Sequence, residues 1–293
     1  MRHGIVILPQ QPWAEAKHQW IRAEELGFDH AWTYDHLSWK SLADETWHAT
    51  VPTLTAAASV TSRIGLGTFV ASPNFRHPVT FAKELATLDD VSSGRFLLGV
   101  GSGGTGFDST VLGLPELSPR ERHARFEEFV RGLDELLRFE TPGSGGISFS
   151  GDWFTAVNAR MVGAPARSPR LPFVVAAEGP RGLRLAAELA DGWLTLGRTA
   201  DTLEEWWQAV ADVSRRVDDA LEKSGRASAT LDRYLNLDGA PQFSLESVGT
   251  WDDAVGRAEA LGFTDVIGHW PRAEGIYAGD ESVLIEIASG FGR

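Results

Sequence analysis

Residues 63–104 read RIGLGTFVASPNFRHP, then VTFAKELATLDDVSSGR, then FLLGVGSGG. Ile64 to Val70 is a short apolar run bounded by turn residues. Gly at alternate positions marks places where a ligand or a second backbone could come close. Pro78 can start a helix whose apolar residues Val79, Ala82, Leu85, Ala86 and Leu88 recur at helical spacing and which stops near Ser92 and Gly94. Phe96 to Val100 is continuously apolar, the pattern of a parallel strand covered on both faces. Strand, helix, strand in this order predicts a right-handed βαβ unit. Both strands then deliver their C-terminal ends to one rim, which would carry Ser72 to His77 and Gly101-Ser102-Gly103-Gly104.

Outward from this unit the same rhythm repeats. Strands are expected at Gly4–Leu8, Phe28–Tyr34, Phe173–Ala176, Trp193–Leu196, Leu231–Leu237 and Asp265–His269. Between them lie helical patterns. Trp13 to Leu26 is amphipathic and stopped by Gly27, Thr53 to Thr61 is rich in small residues, and Pro180 to Leu189 and Thr202 to Lys223 follow later. Ser118-Pro119-Arg120-Glu121 is a capping box opening a helix to about Arg138. Thr250 is expected to cap a helix to Leu261, and Val283 to Phe291 closes the chain. Residues 141–170 break the rhythm with clustered Gly, Pro and aromatics, and read as an insertion with a hairpin around Ser150-Gly151-Asp152. About eight β-then-α units in a single domain of residues 1–293 predict a (β/α)8 TIM barrel, with a doubly wound open sheet and lid domain as the alternative.

Composition narrows the chemistry. The 293 residues include 40 acidic and 27 basic side chains, a formal net charge of −13, which disfavours nucleic acid as the main partner. Cys is absent, so no disulfide, thiol nucleophile or thiolate metal site is available. The N-terminus lacks a signal-peptide profile and no apolar run approaches a membrane span, so a cytoplasmic protein without a membrane partner is expected. His3, His18 and His123 read as structural, His77 is open, and no His/Asp/Glu spacing makes a metal site.

The motifs resemble the luciferase-like family of flavin and deazaflavin oxidoreductases. The resemblance rests on Asp35-His36, Arg63 to Pro78, Thr87-Leu88-Asp89-Asp90 through Gly104, Ala176-Ala177-Glu178-Gly179-Pro180-Arg181, Ala190-Asp191-Gly192-Trp193 and His269-Trp270-Pro271-Arg272, all in family order. It implies a (β/α)8 barrel with an insertion between later units, binding coenzyme F420, or alternatively FMN, at the C-terminal rim. It places His36 against the deazaflavin ring with Asp35 beside it. It also implies a non-prolyl cis peptide at Phe69-Val70, next to Ala71, as a backstop behind the ring. The loop from Ala176 through Ala177, Glu178, Gly179 and Pro180 to Arg181 would take the cofactor phosphate. Independently of the family, that loop opens a helix whose free amides favour an anion, with Arg181 adding charge. Gly101, Ser102 and Gly103 allow close approach of backbone to cofactor.

The implied activity is hydride transfer between F420 and a small organic substrate, with His36 or a water it holds supplying a proton. The alternative is an FMN monooxygenase using reduced flavin and O2. A non-catalytic flavin-binding or barrel-derived interaction protein would be expected only if the rim motifs were lost. Two departures matter. Gly104 stands where F420 sugar-phosphate dehydrogenases carry a catalytic Glu, and the reactive Cys of light-emitting luciferases is missing. Trp39, Trp47, Trp153, Trp270 and Tyr277 are expected rim aromatics, which would suit a partly flat or apolar substrate. A homodimer is one expectation for the assembly.

Overall fold

A computed structural model of the chain describes residues 1–104, 106–139, 145–163 and 165–291. The elements in chain order are β1 (Arg2–Val6), α1 (Trp13–Glu25), β2 (His30–Thr33), α2 (Thr50–Val60), β3 (Gly65–Thr68), α3 (Pro78–Val91), β4 (Phe96–Val100), α4 (Phe107–Thr110) and α5 (Pro119–Leu137). There follow β5 (Ile147–Ser150), β6 (Thr155–Ala159), β7 (Phe173–Ala176), α6 (Pro180–Leu189), β8 (Gly192–Thr195), α7 (Leu203–Ser224), β9 (Asp232–Asn236), α8 (Val248–Ala260), β10 (Asp265–His269) and α9 (Glu281–Ala288).

The strands close in the order β1-β2-β3-β4-β7-β8-β9-β10 and back to β1, every pair parallel. This is the (β/α)8 barrel, and the open-sheet alternative is excluded by the β1–β10 pairing. The strands are shorter than their apolar runs suggest. Val70, Tyr34 and Leu196 have left the ladder by the time they reach the rim, where the chain turns toward the next helix.

Two apolar clusters follow from strand alternation. The larger lies between barrel and helices and includes Ile5, Trp20, Leu66, Leu98, Val175 and Leu235. The smaller fills the barrel itself and includes Val6, Trp32, Tyr34, Phe69, Val174, Leu194, Tyr234 and Ile267. The glycines of β3 belong to this inner packing, and at Gly65 a second backbone does come close, the Asp29 carbonyl oxygen standing 3.4 Å from a Cβ placed there. A Cβ on Gly67 would stand 2.1 Å from the Trp32 ring, and one on Gly65 would crowd the His30 Cβ at 3.3 Å. At this level of the barrel large Trp32 is matched by Gly67 on the adjacent strand.

Below Trp32 the barrel is closed by polar groups. Trp32 Nε1 donates to His30 Nδ1 at 2.6 Å, so the His30 proton sits on Nε2 and is given to Asp265 Oδ1 at 2.9 Å. Arg2 adds two bonds to the same carboxylate at 2.7 and 2.6 Å. Burial pushes the Asp265 carboxyl up, but the hydrogen bonds from His30 and Arg2 outweigh it and hold the group below the usual range.

The capping box at Ser118 and Glu121 is formed as its sequence suggests. The cap of α8 is Ser247, whose Oγ accepts from Thr250 N at 3.1 Å. Thr250 is therefore the third helical residue rather than the cap. The short α4 has no counterpart in the sequence reading. Within the insertion, β5 and β6 form the expected hairpin. It is fastened to α5 because Glu128 accepts from the backbone of Asp152, Trp153 and Phe154. Residues 141–144 and 164 of the insertion lie outside the described residues.

Candidate active site

A cavity of about 490 Å³ opens at the C-terminal rim of the barrel. Its wall is built by residues just past the strand ends, including Tyr34, His36, Trp39 and Lys40 after β2, Phe69, Val70 and Ser72 after β3, and Gly101 to Gly104 after β4. Ala176 and Leu194 close one side, and Asn236, Asp238 and Tyr277 the other.

His36 faces this space from the β2 side, with 30% of its side chain accessible. Its Nδ1 pairs with Asp108 Oδ2 at 2.6 Å, and Asp108 Oδ1 accepts from Leu37 N at 2.8 Å. Asp108 is only 4% exposed, so the carboxylate is a buried anchor that fixes the ring and leaves Nε2 as the free nitrogen. The sequence reading missed Asp108. An acid in the loop after a barrel strand was the available signal, but 72 positions separate the pair.

Asp35 has a different task from the one expected. It is 2% exposed and both its oxygens are taken by Arg76, each at 2.6 Å, so it braces the β3–α3 loop and does not reach the cavity. Ala71 is likewise fully buried, bridged to Val100. The Phe69–Val70 peptide is cis, the geometry that the resemblance implies at that bond, and both residues face the cavity. Gly103 has a φ of +75°, and a Cβ there would stand 2.7 Å from the Asn74 amide oxygen, so only glycine fits this turn of the wall.

Of the expected substrate aromatics, Trp39 and Tyr277 line the cavity. Trp47 instead packs behind Tyr34, with ring centroids 6.2 Å apart. Trp270 is 6% exposed and borders a neighbouring polar crevice with Gln10, Glu45 and Arg272. Trp153 belongs to the hairpin on the outer wall. The cause is common to all three: strand and loop ends alternate between barrel and outer shell, so nearness to the rim in sequence does not set the side on which an aromatic falls. His77 also resolves to structure, its Nδ1 accepting from Val79 N as the cap of α3.

The Ala176–Arg181 loop reaches the same rim, with Ala176 alone on the cavity wall. Gly179 caps α6 without any side-chain bond to the first-turn amides, and Pro180 occupies the first helical position. Glu178 turns toward β8 and accepts from Thr195 Oγ1 at 3.2 Å; burial holds its carboxyl above the usual range. On α5, Arg125 is 6% exposed with its Nε unpartnered, and it forms no ion pair among the described residues. Its other contact is a bond from Nη2 to Asn74 Oδ1, beneath Gly103. A buried guanidinium without a carboxylate is costly unless an anion comes to it.

Tyr277 stands on the far side of the cavity with a φ of +62°, a left-handed conformation that costs a non-glycine residue on the order of 1 kcal/mol. Its ring stacks on His269 at a centroid distance of 3.8 Å.

Comparison with known proteins agrees with this geometry. The model of the family described as luciferase-like monooxygenase matches residues 1–236. An F420-dependent glucose-6-phosphate dehydrogenase of Nakamurella multipartita is 33% identical over 219 residues, 74% of this chain, which spans 60% of that relative's length. Among solved structures, a coenzyme F420 dependent tetrahydromethanopterin reductase from Methanopyrus kandleri superposes with a TM-score of 0.77 at 20% identity, covering 99% of this chain and 97% of the other. A monooxygenase from Streptomyces bottropensis gives 0.78 at 20% identity with the same coverage, so fold alone does not separate the two chemistries. With the barrel, the rim cavity and the family match in agreement, this chain belongs to the luciferase-like monooxygenase family.

Proposed function

We propose that the chain is an F420-dependent oxidoreductase that transfers a hydride between the deazaflavin and a small organic substrate. The observation that carries it is the His36–Asp108 pair set beside the Phe69–Val70 wall and the glycine-lined turn of Gly101 to Gly103. A flat ring can approach backbone there, and a proton-bearing imidazole stands next to it.

The residues present fit such a cofactor. The amides at the start of α6, together with Arg181 and the unpartnered Arg125, would hold its phosphate end. The wall at Phe69, Val70, Gly101 and Ser102 would support its ring. When bound, F420 supplies a carbon that accepts or gives hydride. The chain's own part is to hold the substrate against that face, exclude water with Trp39 and Phe69, and hold a proton on His36 Nε2. Asp108 keeps the ring oriented, with Nδ1 held and Nε2 left free.

The related dehydrogenase is named for glucose 6-phosphate, but support for a sugar phosphate here is thin. Gly104 leaves no carboxylate at its position, and among the described residues Lys40 is the one Lys or Arg side chain on the cavity wall. A small, largely uncharged alcohol, carbonyl compound or activated alkene suits the wall better.

The test is purified protein with each cofactor. Quenching of F420 fluorescence and anaerobic turnover with a panel of alcohols, enones and glucose 6-phosphate is expected. FMN binding with oxygen uptake, and no F420 binding, would instead establish the monooxygenase reading that the family's description favours.

A further inference from the structure

A second hydrogen-bonded chain ends on the same cavity, and the reaction described above makes no use of it. It begins at Asp238, whose side chain is 1% exposed. Asp238 Oδ1 accepts from Ser244 N at 2.8 Å, and Oδ2 accepts from His269 N at 2.7 Å and pairs with His269 Nδ1 at 2.8 Å. His269 Nε2 meets the Tyr34 hydroxyl at 2.8 Å, and Tyr34 meets the Tyr277 hydroxyl at 2.9 Å. His269 is wholly buried and Tyr34 nearly so, whereas Tyr277 lines the cavity.

The donors in this chain have one consistent direction. A carboxylate that already receives two backbone N–H groups is an acceptor, so the His269 proton sits on Nδ1 and Nε2 offers a lone pair. Tyr34 has a single proton and gives it to Nε2, which obliges it to accept from Tyr277. The Tyr277 proton therefore points inward, and its oxygen lone pairs are left toward the cavity.

We propose that Tyr277 is a second catalytic residue, whose hydroxyl passes a proton between a substrate oxygen and the buried His269–Asp238 pair by way of Tyr34. This rests on the reading of the cavity as a hydride-transfer site. In alcohol oxidation the carbinol C–H bond breaks and its electron pair leaves as hydride to the deazaflavin, while the C=O bond forms. The alcohol proton moves to the Tyr277 oxygen, the Tyr277 proton to Tyr34, and the Tyr34 proton to Nε2. An imidazolium then faces the Asp238 carboxylate, and carbonyl reduction runs the same steps backwards. Because each hydroxyl gives and receives a proton, no phenolate accumulates. That is consistent with burial, which holds Tyr34 well above its usual range and pushes Tyr277 up to about 12. The relay also offers a proton path that does not need the carboxylate missing at Gly104.

The full chain labelled at His nitrogens and Tyr Cζ gives a readout without cofactor. His269 is expected as the Nδ1–H form, with its Nε2 resonance moved in Tyr277→Phe because Tyr34 has lost its donor. With F420 and the alcohols of the panel, Tyr277→Phe is expected to bind the cofactor within about twofold of the parent and to slow single-turnover oxidation roughly 10-fold or more, with a reduced solvent deuterium effect. A proton found on Nε2, a His269 signal unmoved in Tyr277→Phe, or an oxidation rate within twofold of the parent overturns the proposal. Failure of the parent protein to turn over any probe with F420 sinks the hydride-transfer reading, and the role of Tyr277 with it. The nitrogen resonances distinguish that outcome from failure of the relay alone.

Discussion

Single residues set the chemistry of the cavity. Replacing His36 by Ala is expected to lower single-turnover hydride transfer by roughly 10²-fold, with a smaller loss of cofactor affinity by fluorescence. Asp108→Asn removes the carboxylate that fixes the His36 ring, and a drop on the order of 10-fold is expected. A variant with normal values of both quantities would remove the pair from the mechanism. Arg125 predicts the opposite combination. Because its buried guanidinium has an unpartnered Nε, Arg125→Met is expected to leave the cofactor-free thermal midpoint unchanged or raised while weakening cofactor binding. An unaltered affinity would show that the anion is held by α6 alone. His36 was legible because it follows a strand in a family motif. Asp108 and Arg125 were not, since neither belongs to a local pattern and each matters only through a partner far along the chain.

Elements are held by a few clamps that helix periodicity does not reveal. Glu24, on the outer part of α1, accepts from the backbone of Ser62, Arg63 and Ile64 at 2.9, 2.6 and 2.9 Å, fastening α1 to the entry of β3. Burial pushes this carboxyl up, but those bonds outweigh it and bring it down to about 2 from an ordinary 4.5. A depressed carboxylate stabilises the fold fully above its unfolded value and loses that contribution as pH falls toward the folded one. The window here runs from about pH 5 down to pH 2. Allowing for partial solvent screening, Glu24→Gln is expected to cost about 1–2 kcal/mol at pH 7 and little at pH 2, read from denaturant unfolding at both. Equal costs at the two values would refute the clamp. In β3, Gly67→Ala is expected to cost about 1–3 kcal/mol or more, since its Cβ would overlap the Trp32 ring. The boundaries of α3, α5 and α6 were close to their capping signals, because a cap is written in neighbouring residues. Thr250 was misread for the same reason: Ser247 and Thr250 are both good caps, and only backbone geometry chooses between them.

At the scale of the whole molecule, closure of the barrel converts eight separate strand ends into one cavity wall. Cofactor that binds only the closed barrel should therefore stabilise it. At about 100 times its dissociation constant F420 is expected to add about 2.7 kcal/mol, seen as a concentration-dependent rise in thermal midpoint. No rise with F420 and a clear one with FMN would favour the monooxygenase reading. What the sequence by itself determined is what local order encodes: alternation of strand and helix, the caps, the punctuation by Gly and Pro, the hairpin of the insertion and the family motifs along the rim. Only the tertiary structure decided that Gly67 makes room for Trp32, that Asp35 braces Arg76, that Trp47 and Trp270 lie off the cavity, and that Tyr34 joins His269 across 235 positions. Periodicity fixes which face of an element a residue occupies. Which side chains then meet depends on register and closure, which bring distant strand ends within hydrogen-bond reach of each other.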